Sequence, residues 1–143
     1  MTNFIKYSMD FIIKEYDHFT YYTFNSPHVV SFLDENNPTE IILDQFFKNP
    51  GSSVTGKSEL LKALISLKTL LPKKRTIKLT AVPMKTTLVP HVNQEKLNLY
   101  YTSLGFEKKE DDNFEANIDE LIGRMKGGRK RKTKRKTKRK YTN

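Results

Sequence analysis

The order of apolar runs predicts an α/β (α+β) fold, with a mixed, mostly antiparallel sheet flanked by helices and a disordered basic C-terminal tail after it. Three observations predict it. Residues 9–47 hold successive strand-like runs separated by Asn/Ser/Pro and Asp/Asn/Pro turns, residues 40–82 alternate strand, helix and strand, and residues 129–140 read RKRKTKRKTKRK without one apolar side chain.

The stretch FIKYSMDFIIKEY at 4–16 supports two readings. Ile5, Met9, Ile12 and Tyr16 fall at helical spacing, while residues 9–16 also fit a strand, which is the reading adopted. HFTYYTF at 18–24 and HVVSFL at 28–33 are rich in residues that suit a pleated surface, and Asn25, Ser26, Pro27 and the run DENNP at 34–38 punctuate them. Residues 1–38 therefore read as an antiparallel meander. Tyr21, Tyr22 and Phe24 would suit a base-stacking platform. No basic residues interleave with them, so a sheet role with one face in the core is the preferred reading.

EIILDQFF at 40–47 reads as a buried strand, residues 49–57 as a turn, and residues 58–71 as a helix carrying Leu60, Leu61, Leu64, Leu67 and Leu71 on one stripe. On the plainest reading the turn is a connection with Ser58 or Thr55 as N-cap and Lys57 solvated. A chain that leaves a strand and enters a helix also aims unpaired N–H groups and the positive end of the helix dipole at whatever lies in front, so Thr55, Gly56, Lys57 and Ser58 form a candidate phosphate cradle. GSSVTGKS at 51–58 fits G-x-x-x-x-G-K-[ST], the P-loop spacing. A nucleotide hydrolase needs in addition a Mg²⁺-orienting acid at the end of a second buried strand, and the run at 76–82 passes into Pro83 and Met84 without one.

PKKR at 72–75 ends the helix and leads into the strand at 77–82. Pro83 and Pro90 make 84–92 a loop. Residues 93–104 form a second helix with Leu97, Tyr100, Tyr101 and Leu104 on one face, Asn93 as N-cap and Gly105 as C-cap. Segments starting at Phe106 and Phe114 read as two last strands around the acidic turn EDDN, and 118–125 as a short closing helix.

The 143 residues, 36% hydrophobic and 11% aromatic, suffice for one core, placed at 1–125 with the tail at 126–143. With no cysteine, disulfides, thiolate metal sites and cysteine nucleophiles are excluded, and three scattered histidines give no metal centre. No secretory pattern opens the chain and no apolar run reaches the length of a membrane span, so an intracellular protein is expected. The net charge of +10 is concentrated: 124–140 hold twelve Lys or Arg and no acid, while 1–123 hold fourteen basic and sixteen acidic residues, a net of −2.

The segment LYYTSLGF at 99–106 resembles the Y-x-x-x-G-F signature of GNAT-type N-acetyltransferases, and the order of elements from 40 to 117 is similar to that family's: strand, pyrophosphate loop, helix, strand, signature helix and two strands. The resemblance implies a GNAT-like sheet and acetyl-CoA as cofactor, held by Thr55, Gly56, Lys57 and Ser58 with Asn93 and Gln94 at the start of the signature helix. It implies Tyr101 as the acid that protonates the leaving thiolate, with Tyr100 as the alternative one register away, and Glu40 or Asp44 as base. It also implies transfer of acetyl to an unidentified amine. The sequence departs from the family loop R/Q-x-x-G-x-G/A: SVTGKS keeps one glycine, has serine at the small position and lacks the leading Arg or Gln. The region before residue 40 is shorter than the family's substrate-side segments.

Ten of the twelve residues at 129–140 are cationic, which keeps the segment disordered by self-repulsion and suits nucleic acid or another polyanion, bound without sequence preference. An import address, a membrane-surface anchor and a solubilising tail are further readings. Phosphate on Thr133 or Thr137 would lower the charge. The Gly-Gly plus Lys/Arg/Thr pattern resembles tails on proteins of giant nucleocytoplasmic DNA viruses, which implies a viral protein of the factory, virion or nucleus. The functional expectation is an N-acetyltransferase. A non-catalytic nucleic-acid-binding or virion protein is the alternative, and a P-loop nucleotide-binding protein comes third.

Overall fold

Alternation of apolar and polar side chains puts one residue in two of each strand on a common face, and the strand registers show which face that is. In the computed structural model, which describes residues 4–47, 49, 51–82 and 93–127, the elements run β1 (Phe4–Tyr7), β2 (Phe11–Glu15), β3 (Thr20–Phe24), β4 (Val29–Asp34), β5 (Glu40–Phe47), α1 (Gly56–Leu70), β6 (Thr76–Thr80), α2 (Gln94–Leu104), β7 (Glu107–Lys108), β8 (Asn113–Asn117) and α3 (Ile118–Gly127). The expected loop at 84–92 and the tail at 129–140, with Thr133 and Thr137, lie outside the described residues.

One eight-stranded sheet has the order β1-β2-β3-β4-β5-β6-β8-β7. Every pairing is antiparallel except β5 with β6, which is parallel and joined through α1. The fold is thus a mixed, mostly antiparallel α/β sheet with three helices. Registers align Phe11 with Phe24, Tyr22 with Phe32, Phe32 with Leu43, Ile41 with Ile77, and Ile77 with Ala116, so all of these side chains share one face. On that face they meet Leu60, Ala63, Leu64 and Leu67 of α1, Tyr101 and Leu104 of α2, and Ile118, Leu121 and Met125 of α3 in a single core. Each large side chain fully buried here contributes roughly 1.5–3 kcal/mol. The helices contact one another and form one layer, so the expected flanking is one-sided among the described elements.

Of the ambiguous stretch 4–16, the strand read at 9–16 is present as β2, and β1 ahead of it, not expected, makes the pair a hairpin. Ser8 N–H donates to Phe11 O at 2.9 Å and Ser8 Oγ accepts from Phe11 N–H at 2.9 Å, closing a turn that has no glycine or proline to announce it. β3 starts at Thr20 rather than residue 18, because Tyr16 N–H donates to Phe19 O and the Tyr16 and Phe19 rings stack across the turn. α1 starts two residues before Ser58, because Thr55 is the cap. Gly105 closes α2 at φ 117°, a left-handed backbone that glycine adopts without a Cβ penalty.

The sheet's firmest corner lies at the start of β5. Arg75 pairs with Asp34 at 3.0 Å, with both side chains only 11% exposed, and also donates to the carbonyls of Asn37 and Glu40. Thr76 N–H donates to Thr39 O and Ile118 N–H to Arg75 O, so β4, β5, β6 and α3 are tied at one point.

Candidate functional site

β5 keeps its pairing with β4 from Ile42 to Phe47 but pairs with β6 only through Glu40, Ile41 and Ile42. β6 continues with β8 to Thr80. A wedge therefore opens between the C-terminal ends of the two parallel strands, the place where open α/β sheets hold ligands. From Leu43 to Phe47 it is about 13 Å deep at the usual rise per residue. No described strand pairs with the β6-facing edge of β5 along this length.

Within the wedge the register of β5 shifts: Ser31 lies opposite Gln45 and Phe32 opposite Leu43, leaving Asp44 as the extra, bulged residue. The bulge leaves Asp44 exposed, and its carboxylate accepts from the Tyr21 hydroxyl. Tyr21 in turn accepts from Ser31 Oγ at 3.1 Å, and Ser31 is buried. Burial, together with the Asp44 carboxylate, raises the Tyr21 pKa and keeps that phenol a donor. Glu40 sits four residues back at the closed end, paired with Lys78 at 2.7 Å. The two candidate bases are thus about 13 Å apart along the strand, and Asp44 is the one beyond the last β5–β6 rung, its carboxylate turned to Tyr21 on the helix-free face.

The helix layer supplies the other wall. Tyr101 is only 7% exposed, with ring centroids 6.4 Å from Phe46, 5.9 Å from Phe106 and 5.7 Å from Phe114. Burial, helped by Tyr100, pushes its pKa up to about 12. Tyr100 is 38% exposed, stacks on Phe46 at 6.3 Å, and has its pKa raised by burial. Its hydroxyl lies 3.2 Å from where a Cβ on Gly56 would stand, with the Phe46 ring at 3.3 Å, so glycine at the head of α1 is what leaves room for this phenol. Of the two tyrosines, Tyr100 reaches the cradle and Tyr101 is packed behind it.

Thr55 caps α1, its Oγ1 accepting from Ser58 N–H at 3.1 Å, and Glu59 N–H donates to Thr55 O. Ser58 N–H is thereby committed, whereas those of Gly56 and Lys57 meet no acceptor among the described residues and point out of the helix end. The approach to the helix is pinned by His28, a buried residue that sequence reasoning missed. Its ring Nδ1 accepts from Asn49 N–H at 3.1 Å, which assigns the proton to Nε2, 2.7 Å from Val54 O. Glu59, also missed, is buried in the first turn of α1, accepting from Ser26 Oγ at 3.0 Å and pairing with Lys62 at 3.2 Å. Both join the turn at 25–28 to the GSSVTGKS loop and the helix after it.

Inside that loop Ser52 N–H donates to Asn49 O and Val54 N–H to Ser52 Oγ. These donors are spent on the turn itself, unlike those of a loop that wraps a triphosphate. Asn93 caps α2 by accepting from Lys96 N–H at 2.8 Å, and the Gln94 amide donates to Ala81 O and Asn98 Oδ1. Both residues therefore fix the head of α2 beside the end of β6. On the helix-free face, a groove of about 820 Å³ runs beside Ile42 between Lys78, Thr80, Asn113 and Glu115. Among the described residues no three His, Asp or Glu side chains are grouped to hold a metal ion, and no helix is long and apolar enough to cross a membrane.

No family model matches the chain, and neither a curated protein nor a solved structure matches it.

Proposed function

We propose that the chain is an acetyl-CoA dependent N-acetyltransferase whose acyl group lies in the wedge between β5 and β6. One observation carries the reading: a parallel pair that separates after three rungs, with a carboxylate at the bulge on one side of the sheet and phenols plus a helix N-terminus on the other. An extended ligand with amide groups fits the free edge of β5, because that edge offers backbone donors and acceptors in strand register. The order strand, loop, helix, strand, signature helix and two strands supports the same reading.

The N–H groups of Gly56 and Lys57 hold the diphosphate, with the Ser58 hydroxyl beside them. Glu59 lies under the same turn and offsets part of the helix dipole there, which favours a weakly held anion over a triphosphate. Acetyl-CoA supplies the activated thioester. Asp44, oriented by Tyr21, accepts the proton of an amine approaching from the helix-free face, and a β5 backbone N–H steadies the charge on the carbonyl oxygen. Tyr100, its hydroxyl at the Gly56 turn and its ring held against Phe46 beside Tyr101, would donate to the diphosphate, and the departing thiolate would take its proton from water.

Isothermal titration of the full chain tests the reading. Acetyl-CoA is expected to bind at least 10-fold more tightly than 3′-phosphoadenosine 5′-diphosphate, which shares its phosphates but lacks the pantetheine arm, and Gly56→Pro is expected to abolish the difference by removing a donor and filling the space at Tyr100. Equal binding of both ligands, or tighter binding of Mg-ATP, overturns it.

The tail supports a second reading. Ten cationic residues in twelve suit a nucleic-acid-binding role, non-catalytic and independent of the wedge.

A further inference from the structure

The two edges of the sheet are built differently. β7 is two residues long, both charged, and Glu107 is ion-paired to Lys109, so it offers almost no backbone to a further strand. β1 is a full strand with no described element on its outer side. Four of the nine large hydrophobic side chains exposed among the described residues, Phe4, Ile5, Tyr7 and Met9, lie in β1 and its turn, with Tyr7 77% exposed. β1 has no proline, and its one charge, Lys6, is already bound to Glu15 at 3.2 Å. Of the usual edge protections it has only shortness and this one neutralised lysine.

Hydrogen-bond parity shows which groups this edge presents. Ser8 N–H donates to Phe11 O, and Asn25 N–H to Asp10 O on the far side of β2. Bonded pairs alternate along an antiparallel ladder, so Lys6 with Ile13 is a bonded pair of β1 and β2, and the N–H and C=O groups of Ile5 and Tyr7 point outward. Two outward residues separated by one are self-complementary under a two-fold axis perpendicular to the sheet. We propose that a second copy of this chain pairs antiparallel with β1, centred on Lys6, with Ile5 opposite Tyr7 of the partner subunit.

That register makes four backbone hydrogen bonds from the outward groups and places Ile5 against a tyrosine ring twice on the helix-free face. It brings two Lys6 side chains together on the other face, each neutralised by its own Glu15. A centre at Ile5 would put Phe4 opposite a lysine and would leave the described residues only the two bonds of the Ile5–Ile5 pair. Because β7 cannot receive β1, head-to-tail growth is blocked and the contact closes as a dimer. The partner is therefore the chain itself, and the interface lies far along the sheet from the wedge.

The test uses the full chain at physiological salt. Light scattering at tens of micromolar is expected to give twice the 16.7 kDa chain mass. Tyr7→Pro, which removes an outward N–H, and the double variant Ile5→Lys with Tyr7→Lys are each expected to weaken the dimer at least 100-fold while the thermal midpoint of the monomer stays within a few degrees. The chain has no cysteine, so Lys6→Cys reports register: its two Cα atoms would stand about 4.5 Å apart, within disulfide range. Oxidation is expected to crosslink Lys6→Cys rapidly and to leave Lys14→Cys, one strand inward, monomeric. A monomeric parent chain, a dimer that survives both edge variants, or equal crosslinking at the two positions overturns the proposal.

Discussion

The two ends of β5 are opposites. At its start, within three residues, the strand is held by β4 on one side and β6 on the other, and the Arg75–Asp34 pair locks the corner from a site almost closed to water. At its end the β6 side is free, a bulge turns Asp44 outward, and the nearest wall is a stack of aromatic rings from another element. The same eight residues thus serve as an anchor and as one lip of an opening. The contrast shows where this fold concentrates its stability and where it can give some up for chemistry.

The sharpest way to break the contrast is at the anchor. Arg75→Met leaves the Asp34 carboxylate in a nearly buried position without its partner, which costs about 3 kcal/mol or more. Urea unfolding reads the loss directly, and a change below 1 kcal/mol would mean that the corner is not what fixes the sheet. Acetyl-CoA affinity is expected to change little in the folded fraction.

A smaller effect comes from charging the aromatic wall. The Tyr101 pKa is raised from 10.0 to about 12 by burial and by Tyr100, so the folded state holds this proton more tightly than the unfolded chain does. The resulting stability is fully present below pH 10 and is lost as pH rises from 10 through 12, an amount of roughly 2–3 kcal/mol. Stability measured against pH should fall in that window for the parent chain and fall less for Tyr101→Phe; parallel curves would show that the ring does not titrate with folding.

The smallest effect on stability is expected where the proposed chemistry is largest. Asp44→Asn keeps a hydrogen-bond acceptor for Tyr21 at an exposed bulge, so the unfolding free energy should change by less than about 0.5 kcal/mol. Acetyl transfer to an amine, once an acceptor is found, should fall about 10²–10⁴-fold. Loss of stability with intact transfer would reverse the assignment of anchor and opening.

Much of this was legible in the residues. The strand at 40–47 has the bounds read from EIILDQFF, and Asn93 and Gly105 cap α2 as their side-chain chemistry requires. The first hairpin was not legible, because Ser8 closes its turn through a hydroxyl and Ile5, Met9 and Ile12 imitate a helix by spacing. Tyr100 and Tyr101 are adjacent letters, and only the packing of α2 against Phe46 separates the ring that reaches Gly56 from the one behind it. The bulge at Asp44 arises from how β5 meets β4, a property of the pair that neither strand's sequence carries alone. His28 and Glu59 gave no motif; they matter because the 25–28 turn and the loop after β5 fold onto each other.

The three-rung seam between β5 and β6 also sets an order of assembly. Strands β1 to β5 are neighbours in sequence and need only short loops to close, whereas the seam must wait for α1 to span more than thirty residues before it returns a few hydrogen bonds. The meander can therefore collapse early, and the joining of the two halves becomes the late, entropically costly step. The opening that the proposed chemistry uses lies along a seam that only a long-range pairing closes.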